Sequence, residues 1–142
     1  MPNRIIVAAD AAPPLGPYSM AIASEGPGTW LHIAGQVGIE PDGRLSDGFE
    51  AQARQAWANL AAVLASAGMQ VAHLVKVSAF LTRQADVPLF GPVRAAFIGE
   101  ARPASTLVVV QALARPEWLV EIEGVAFLPA ATWAGGAKRD AS

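Results

Sequence analysis

Cysteine is absent from the 142-residue chain, which removes disulfides, a thiol nucleophile and any thiolate metal site. Charge is scarce too: Asp, Glu, Lys and Arg make up 15% of residues, where a globular domain usually carries about 25%. The net charge is −2, and the basic residues are scattered from Arg4 to Arg139 without a run. A nucleic-acid surface needs a basic stripe to release counterions, so no nucleic-acid partner is expected. The two histidines, His32 and His73, stand far apart and lack the close His/carboxylate spacing of a zinc motif. Both are read as strand residues, and no metal is expected. No stretch reaches the roughly 18 uncharged apolar residues of a membrane span. Met1 to Ala12 lacks the apolar centre of a signal peptide, so a cytoplasmic location away from membranes is expected.

What the chain has in plenty is apolar material. Even before its 13 glycines are added, 53% of residues are apolar, above the roughly 45–50% that globular domains reach with glycine counted. Alanine supplies 30 of them, which softens the excess without removing it. The length suits one hydrophobic core. Such a composition describes a compact domain with apolar surface to spare for another subunit or a ligand.

Arg4–Ala8 reads as a short strand ended by Asp10 and Pro13-Pro14. Tyr18–Ser24 and Thr29–Val37 read as two strands around the turn residues Glu25-Gly26-Pro27-Gly28. Phe49, Ala53, Ala56, Trp57, Leu60, Val63, Leu64 and Ala67 recur at steps of three and four, the mark of a helix with one dry face. Asp47 followed by Glu50 fits an Asp variant of the capping box, and Gly68 suits the left-handed residue after the last turn. Val71–Thr82 reads as a strand. Asp86 is placed to cap a second helix with Phe90, Val93 and Phe97 on one side, Pro92 in its first turn and Gly99 at its end. Ser105–Gln111 and Leu119–Leu128 complete the strands. Residues 1–129 form one domain in this reading, and 130–142 form a loosely ordered tail.

The order β-β-β-α-β-α-β-β points to an α+β fold, a mixed β-sheet with two helices on one face. Strand phasing puts Leu107, Val109, Leu119, Val125 and Phe127 on the other face. A sheet apolar on both sides, with helices for only one, is expected to oligomerise.

Four local features bear on chemistry. Gly16-Pro17 delivers the only tyrosine, Tyr18, which either packs half-buried beside the turn or offers its hydroxyl to a pocket. Gly35, inside a strand, marks a bulge, a close approach of ligand or backbone, or simple packing. Arg102-Pro103-Ala104-Ser105-Thr106-Leu107 enters a strand, with Arg102 either solvated or turned inward. Glu121 and Glu123 share one face of the last strand; they line a wet cleft, pair across a subunit boundary, or sit on a solvated edge.

In this order and spacing, Gly16-Pro17-Tyr18-Ser19, Ala34-Gly35-Gln36, Val75-Lys76-Val77, Arg102-Pro103-Ala104 and Glu121-Ile122-Glu123 resemble the Rid family of reactive-intermediate deaminases, also called YjgF-like. Its members often carry the label endoribonuclease L-PSP. The resemblance runs from Arg4 to Leu128. It implies a chorismate-mutase-like fold, a homotrimer with its sheets packed into a central barrel, and small-molecule clefts between subunits. It also implies hydrolysis of enamines and imines, such as 2-aminoacrylate, to 2-keto acids and ammonia without a metal or organic cofactor. By the same resemblance Glu121 takes the water- or proton-handling position, Tyr18 lines the cleft, and Gly35 lies in the strand that frames it.

The departures bear on substrate. Where deaminating members have Pro-Ala-Arg-Ser-Cys, this chain has Pro103-Ala104-Ser105-Thr106-Leu107. Ser105 thus stands for the carboxylate-binding Arg, Leu107 for the Cys, and Ala34 for the Ser of the family's Ser-Gly-Gln. Each charged hydrogen bond of an Arg–carboxylate pair contributes about 1.5–3 kcal/mol. Serine offers one neutral donor, and Arg102 reaches in only if the Pro103 turn redirects it.

Two functions follow from the resemblance, and whether the protein is an enzyme stays open between them. One is a cofactor-independent hydrolase of an imine or enamine other than a simple 2-imino acid, with Glu121 as general acid/base and Ser105 or Thr106 as a neutral contact. The other is a non-catalytic homologue that binds a small metabolite or a protein in the same clefts. Ordinary 2-aminoacrylate deamination ranks behind both. A ribonuclease ranks last, for want of a basic groove or a histidine pair.

Overall fold

The computed structural model describes residues 3–130. Its elements are β1 (Asn3–Ile6), β2 (Ala21–Ser24), β3 (Gly28–Val37), α1 (Phe49–Ser66), β4 (Leu74–Leu81), α2 (Val87–Ile98), β5 (Ala104–Val109) and β6 (Val120–Pro129). The order and the α+β class are those expected; the expected C-terminal tail falls outside the described residues from 131 onward.

The main sheet has the order β3-β6-β4-β5. β6 pairs antiparallel with both β3 and β4, and β4 pairs parallel with β5, so the sheet is mixed. β1 and β2 pair as a separate antiparallel ribbon. The Asn3 side chain ties that ribbon to the sheet by donating to the Phe127 carbonyl at 3.2 Å.

The helical periodicity of α1 becomes the core. Phe49, Ala53, Ala56, Trp57, Leu60 and Leu64 are all buried. A fully buried side chain of the Leu or Phe class contributes about 1.5–3 kcal/mol, and these positions supply much of what holds the helix to the sheet. Trp57 joins the two helices: its ring lies 6.2 Å from Phe97 and 6.4 Å from Phe90, both stacked. Beneath them lie Val77, Ala79 and Leu81 of β4 and Val120, Ile122 and Ala126 of β6. Both helices therefore cover the same face.

Helix ends depart from expectation in three places. The N-cap of α1 is Gly48, which sits at φ 87° and has no side chain to cap with, so the Asp47/Glu50 box does not form. Asp86 holds the N-cap place of α2 without capping it; its carboxylate instead accepts from Arg83 Nε at 2.7 Å. Pro92 lies inside α2 rather than in its first turn, and the helix continues to Ile98. Of the two amides the prolines remove, that of Pro88 lies in the first turn where it has no partner, and the carbonyl that Pro92 forfeits is that of Pro88 near the helix start. Gly68 does take the left-handed conformation expected of it, at φ 74°.

Strand boundaries shift as well. Val71–His73 is a short 3-10 turn rather than strand, and His73 Nδ1 accepts there from the Gln70 amide at 2.9 Å. Tyr18 precedes β2 in a bend. The larger correction concerns the sheet faces. Ser105, Leu107 and Val109 are in register with Val77, Ala79 and Leu81. Paired residues share a face, so Leu107 and Val109 project on the helix side, at an edge the helices only partly cover, and are 38% and 39% exposed. Leu119 likewise packs against the core. Val125 and Phe127 do lie on the open face, with Trp30 packed on Phe127 at 4.8 Å.

Candidate active site

β3 and β6 pair in register as far as Ile33 with Gly124 and resume at Gln36 with Ile122. Ala34 and Gly35 therefore stand opposite the single residue Glu123, a bulge that bends the strand and leaves these two out of the ladder. Glu121, two residues along β6, folds its carboxylate into the space beside Gly35. A Cβ at position 35 would stand 1.8 Å from Glu121 Oε2 and 2.7 Å from its Cδ. A side chain at position 35 would have to push the Glu121 carboxylate aside; Gly35 sits in a bulge, one of the readings offered for it, and the group that comes close to it is the Glu121 side chain.

Glu121 is half-buried, and none of the ion pairs or side-chain hydrogen bonds among the described residues engages it. An uncommitted carboxylate in a groove can take or give a proton. That groove, about 400 Å³, is walled by Phe80, Val110, Ala112, Leu113 and Glu123. Glu123 also borders a second hollow of about 340 Å³ with His32, Ala34, Lys76 and Ser78.

A larger cavity, about 640 Å³, opens on the other side of the sheet, between α2, the Leu15–Tyr18 loop and β5. Tyr18, Ser105, Leu107 and Arg102 all line it. The Tyr18 hydroxyl accepts from the Leu15 amide at 3.1 Å, which holds the loop in its bend. Arg102 borders the cavity but is exposed, and its Nη1 donates to the carbonyls of Gly99 at 2.9 Å and Ala101 at 2.8 Å. Ser19, buried beside this turn, donates its hydroxyl to the Arg102 carbonyl. Thr106 is not part of the cavity: it faces the opposite way and accepts from Lys76 Nζ at 2.7 Å.

The residue that sequence reading missed is Arg94. It lines the same cavity from α2, is 8% exposed, and donates through Nη1 to the Pro17 carbonyl at 3.3 Å. Its Nη2 is buried with no hydrogen-bond partner among the described residues. Burial, and after it the charge of Arg102, pulls the Arg94 guanidinium below its ordinary range. The signal was in the sequence. Arg94 is the one charged residue in Val87–Ile98, four positions after Phe90 and next to Val93, hence on the dry face.

The expected site residues thus fall into two groups. Gly35 and Glu121 belong to the open face; Tyr18, Arg102, Ser105 and Leu107 belong to the cavity on the helix side. The register separates them, since Ser105 pairs with buried Val77 and Glu121 with Phe80 on the other face. Among the described residues, no group of three or more His, Asp or Glu gathers into a metal cradle, and no helix is long and apolar enough to cross a membrane.

The sequence profile of the family described as Endoribonuclease L-PSP matches residues 9–128. A RutC family protein of Pyrococcus horikoshii is 36% identical over 127 residues, covering 88% of this chain and 98% of that protein. The 2-iminobutanoate/2-iminopropanoate deaminase of Dermatophagoides farinae is 31% identical over 126 residues, covering 87% and 95%. Among solved structures, a protein of unknown function of the conserved Rid family from Yersinia pestis superposes with a TM-score of 0.79 at 34% identity, covering 90% of this chain and 100% of that one.

Proposed function

The chain belongs to the endoribonuclease L-PSP family, the Rid proteins, and from that premise we propose that it hydrolyses a reactive imine or enamine to a carbonyl compound and ammonia. The observation that carries this reading is the free Glu121 carboxylate lying over Gly35. Water adds to the C=N carbon while Glu121 accepts its proton. Glu121 returns that proton to the nitrogen, and the carbinolamine's hydroxyl proton then passes to the nitrogen by the same route as the C–N bond breaks, forming C=O and ammonia; an enamine enters as its imine tautomer, a proton having moved from nitrogen to its β-carbon. No electrons are transferred and no cofactor is required. Named relatives that act on 2-imino acids support the reaction class.

The two groups of residues lie on opposite faces of one sheet. A single ligand meets both only where a second copy brings its Glu121 to the first copy's cavity. The reading therefore includes a homotrimer with ligand clefts between subunits, packed through the open face that carries Val125 and the exposed Trp30. Its substrate differs from a simple 2-imino acid, because Ser105 and Leu107 stand where the resemblance places the Arg and Cys of deaminating members.

Ammonia release from imines and enamines generated in situ, with Glu121→Ala as control, tests the reading. Turnover above the spontaneous rate in the wild type alone supports it; equal rates overturn it. The second reading, a non-catalytic binding homologue, draws on the Tyr18 hydroxyl being already engaged by Leu15 and on the apolar Leu107 wall. Thermal stabilisation by a metabolite without turnover selects it.

A further inference from the structure

Arg94 has no part in the water and proton steps, yet its Nη2 and Trp57 Nε1 are the two buried side-chain nitrogen or oxygen atoms left without a hydrogen-bond partner among the described residues. A guanidinium removed from water with one N–H end unpaired is costly unless a counter-charge arrives. Within one protomer none is nearby: the cavity is lined by Arg94 and Arg102 and by no Asp or Glu among the described residues, and the assembly proposed above brings a single carboxylate, the second copy's Glu121, to these two guanidinium groups. The remaining wall is mostly apolar, with Leu15, Val87, Phe90, Ile98 and Leu107.

We infer that Arg94 is the anion anchor of this cavity, and that the ligand is an amphipathic monocarboxylate with its charge on Arg94 and its apolar body along Phe90, Ile98 and Leu107. Two guanidinium groups against one Glu121 carboxylate leave one positive charge, which asks for one negative charge, and the planar fork of Arg suits a carboxylate. Arg102 adds attraction from the rim; its Nη1 is already committed to backbone carbonyls. The cavity of one protomer, about 640 Å³ before a second copy approaches it, has an apolar wall that gives the body of a longer acid a place. The cation thus enters from α2, while position 105 on β5 supplies only a hydroxyl. The inference rests on the proposed function for the fate of the ligand, not for its binding.

Calorimetric titration of the full chain in its native assembly tests this with three probes: 3-phenylpropanoate, the uncharged 3-phenylpropanamide and propanoate. The wild type is expected to bind 3-phenylpropanoate at least tenfold more tightly than either of the other two. In Arg94→Met the affinity for the acid falls about 10- to 100-fold, the range of a lost charge-assisted hydrogen bond, and the acid-to-amide ratio approaches one. Arg94→Lys keeps part of that ratio. Acid and amide bound equally by the wild type, no binding of the acid, or an unchanged ratio in Arg94→Met would each overturn the inference. Arg94→Gln replaces the Met variant if that variant does not fold, and the wild-type ratio is decisive without any variant. Only binding is read, so failure here leaves imine hydrolysis standing, and failure of ammonia release leaves the anion pocket standing.

Discussion

The Glu121 carboxylate occupies the place where a side chain at Gly35 would be, with only 1.8 Å between Oε2 and a Cβ built on that glycine. Bulge and acid form one device. The bulge takes Gly35 out of the β3–β6 ladder, and the missing side chain leaves room for the Glu121 carboxylate beside the groove.

Gly35→Ala separates position from identity. The added methyl must displace the carboxylate, leaving the acid present but misplaced. Displacements of about 1 Å can lower a rate by about 100-fold. Steady-state ammonia release is expected to drop by that order with the far-ultraviolet spectrum unchanged. Activity equal to the wild type would show that the carboxylate's position does not matter.

Ser105→Arg tests the substrate departure. Ser105 faces the cavity from the edge strand, where the helices leave room. A guanidinium there adds charge-assisted hydrogen bonds to a small carboxylate, each about 1.5–3 kcal/mol. kcat/KM for a small 2-imino acid is expected to rise at least tenfold. No gain in a folded variant would mean that the cavity does not present the substrate to position 105.

Glu40 provides a pH prediction away from the site. Its carboxylate accepts from Arg44 at 2.8 Å and from the Ser46 hydroxyl at 3.1 Å, and these contacts, Arg44 first, hold its pKa below the ordinary 4.5. A carboxylate whose pKa is lower when folded adds stability above its unfolded value and loses it as pH falls through the folded value. The contribution is therefore constant from neutrality down to about pH 4.5 and fades below it. Thermal melts from pH 7 to pH 3 are expected to show a shallower acid decline for Glu40→Gln than for the wild type. Identical declines would contradict it.

The sequence disclosed the parts of the fold that periodicity governs. α1 was legible because its apolar residues keep helical spacing for five turns, and burial follows that spacing from Phe49 to Leu64. Leu107 and Val109 were misplaced for a physical reason. The face an edge strand presents is set by its partner and register, here a parallel pairing with β4, which alternation alone does not reveal. Capping failed at Asp47 and Asp86 because one side chain competed for another role or the backbone took a left-handed start at Gly48. Of the candidate site, Gly35, Glu121 and Tyr18 could be found from local pattern. Thr106 could not be excluded, since its outward direction follows from register. Arg94 carries a sequence signal, a lone charge on the dry face of α2, but its place beside Pro17 and Arg102 is created only by the packed chain.

The most direct test of the central claim is the rate of ammonia release above background from in situ imines, compared between the wild type and Glu121→Gln, a near-isosteric change that keeps the place beside Gly35 but removes the base. The account predicts catalysis in the wild type and a fall of about 100-fold or more toward the spontaneous rate in the variant. Equal rates in the two proteins would contradict it.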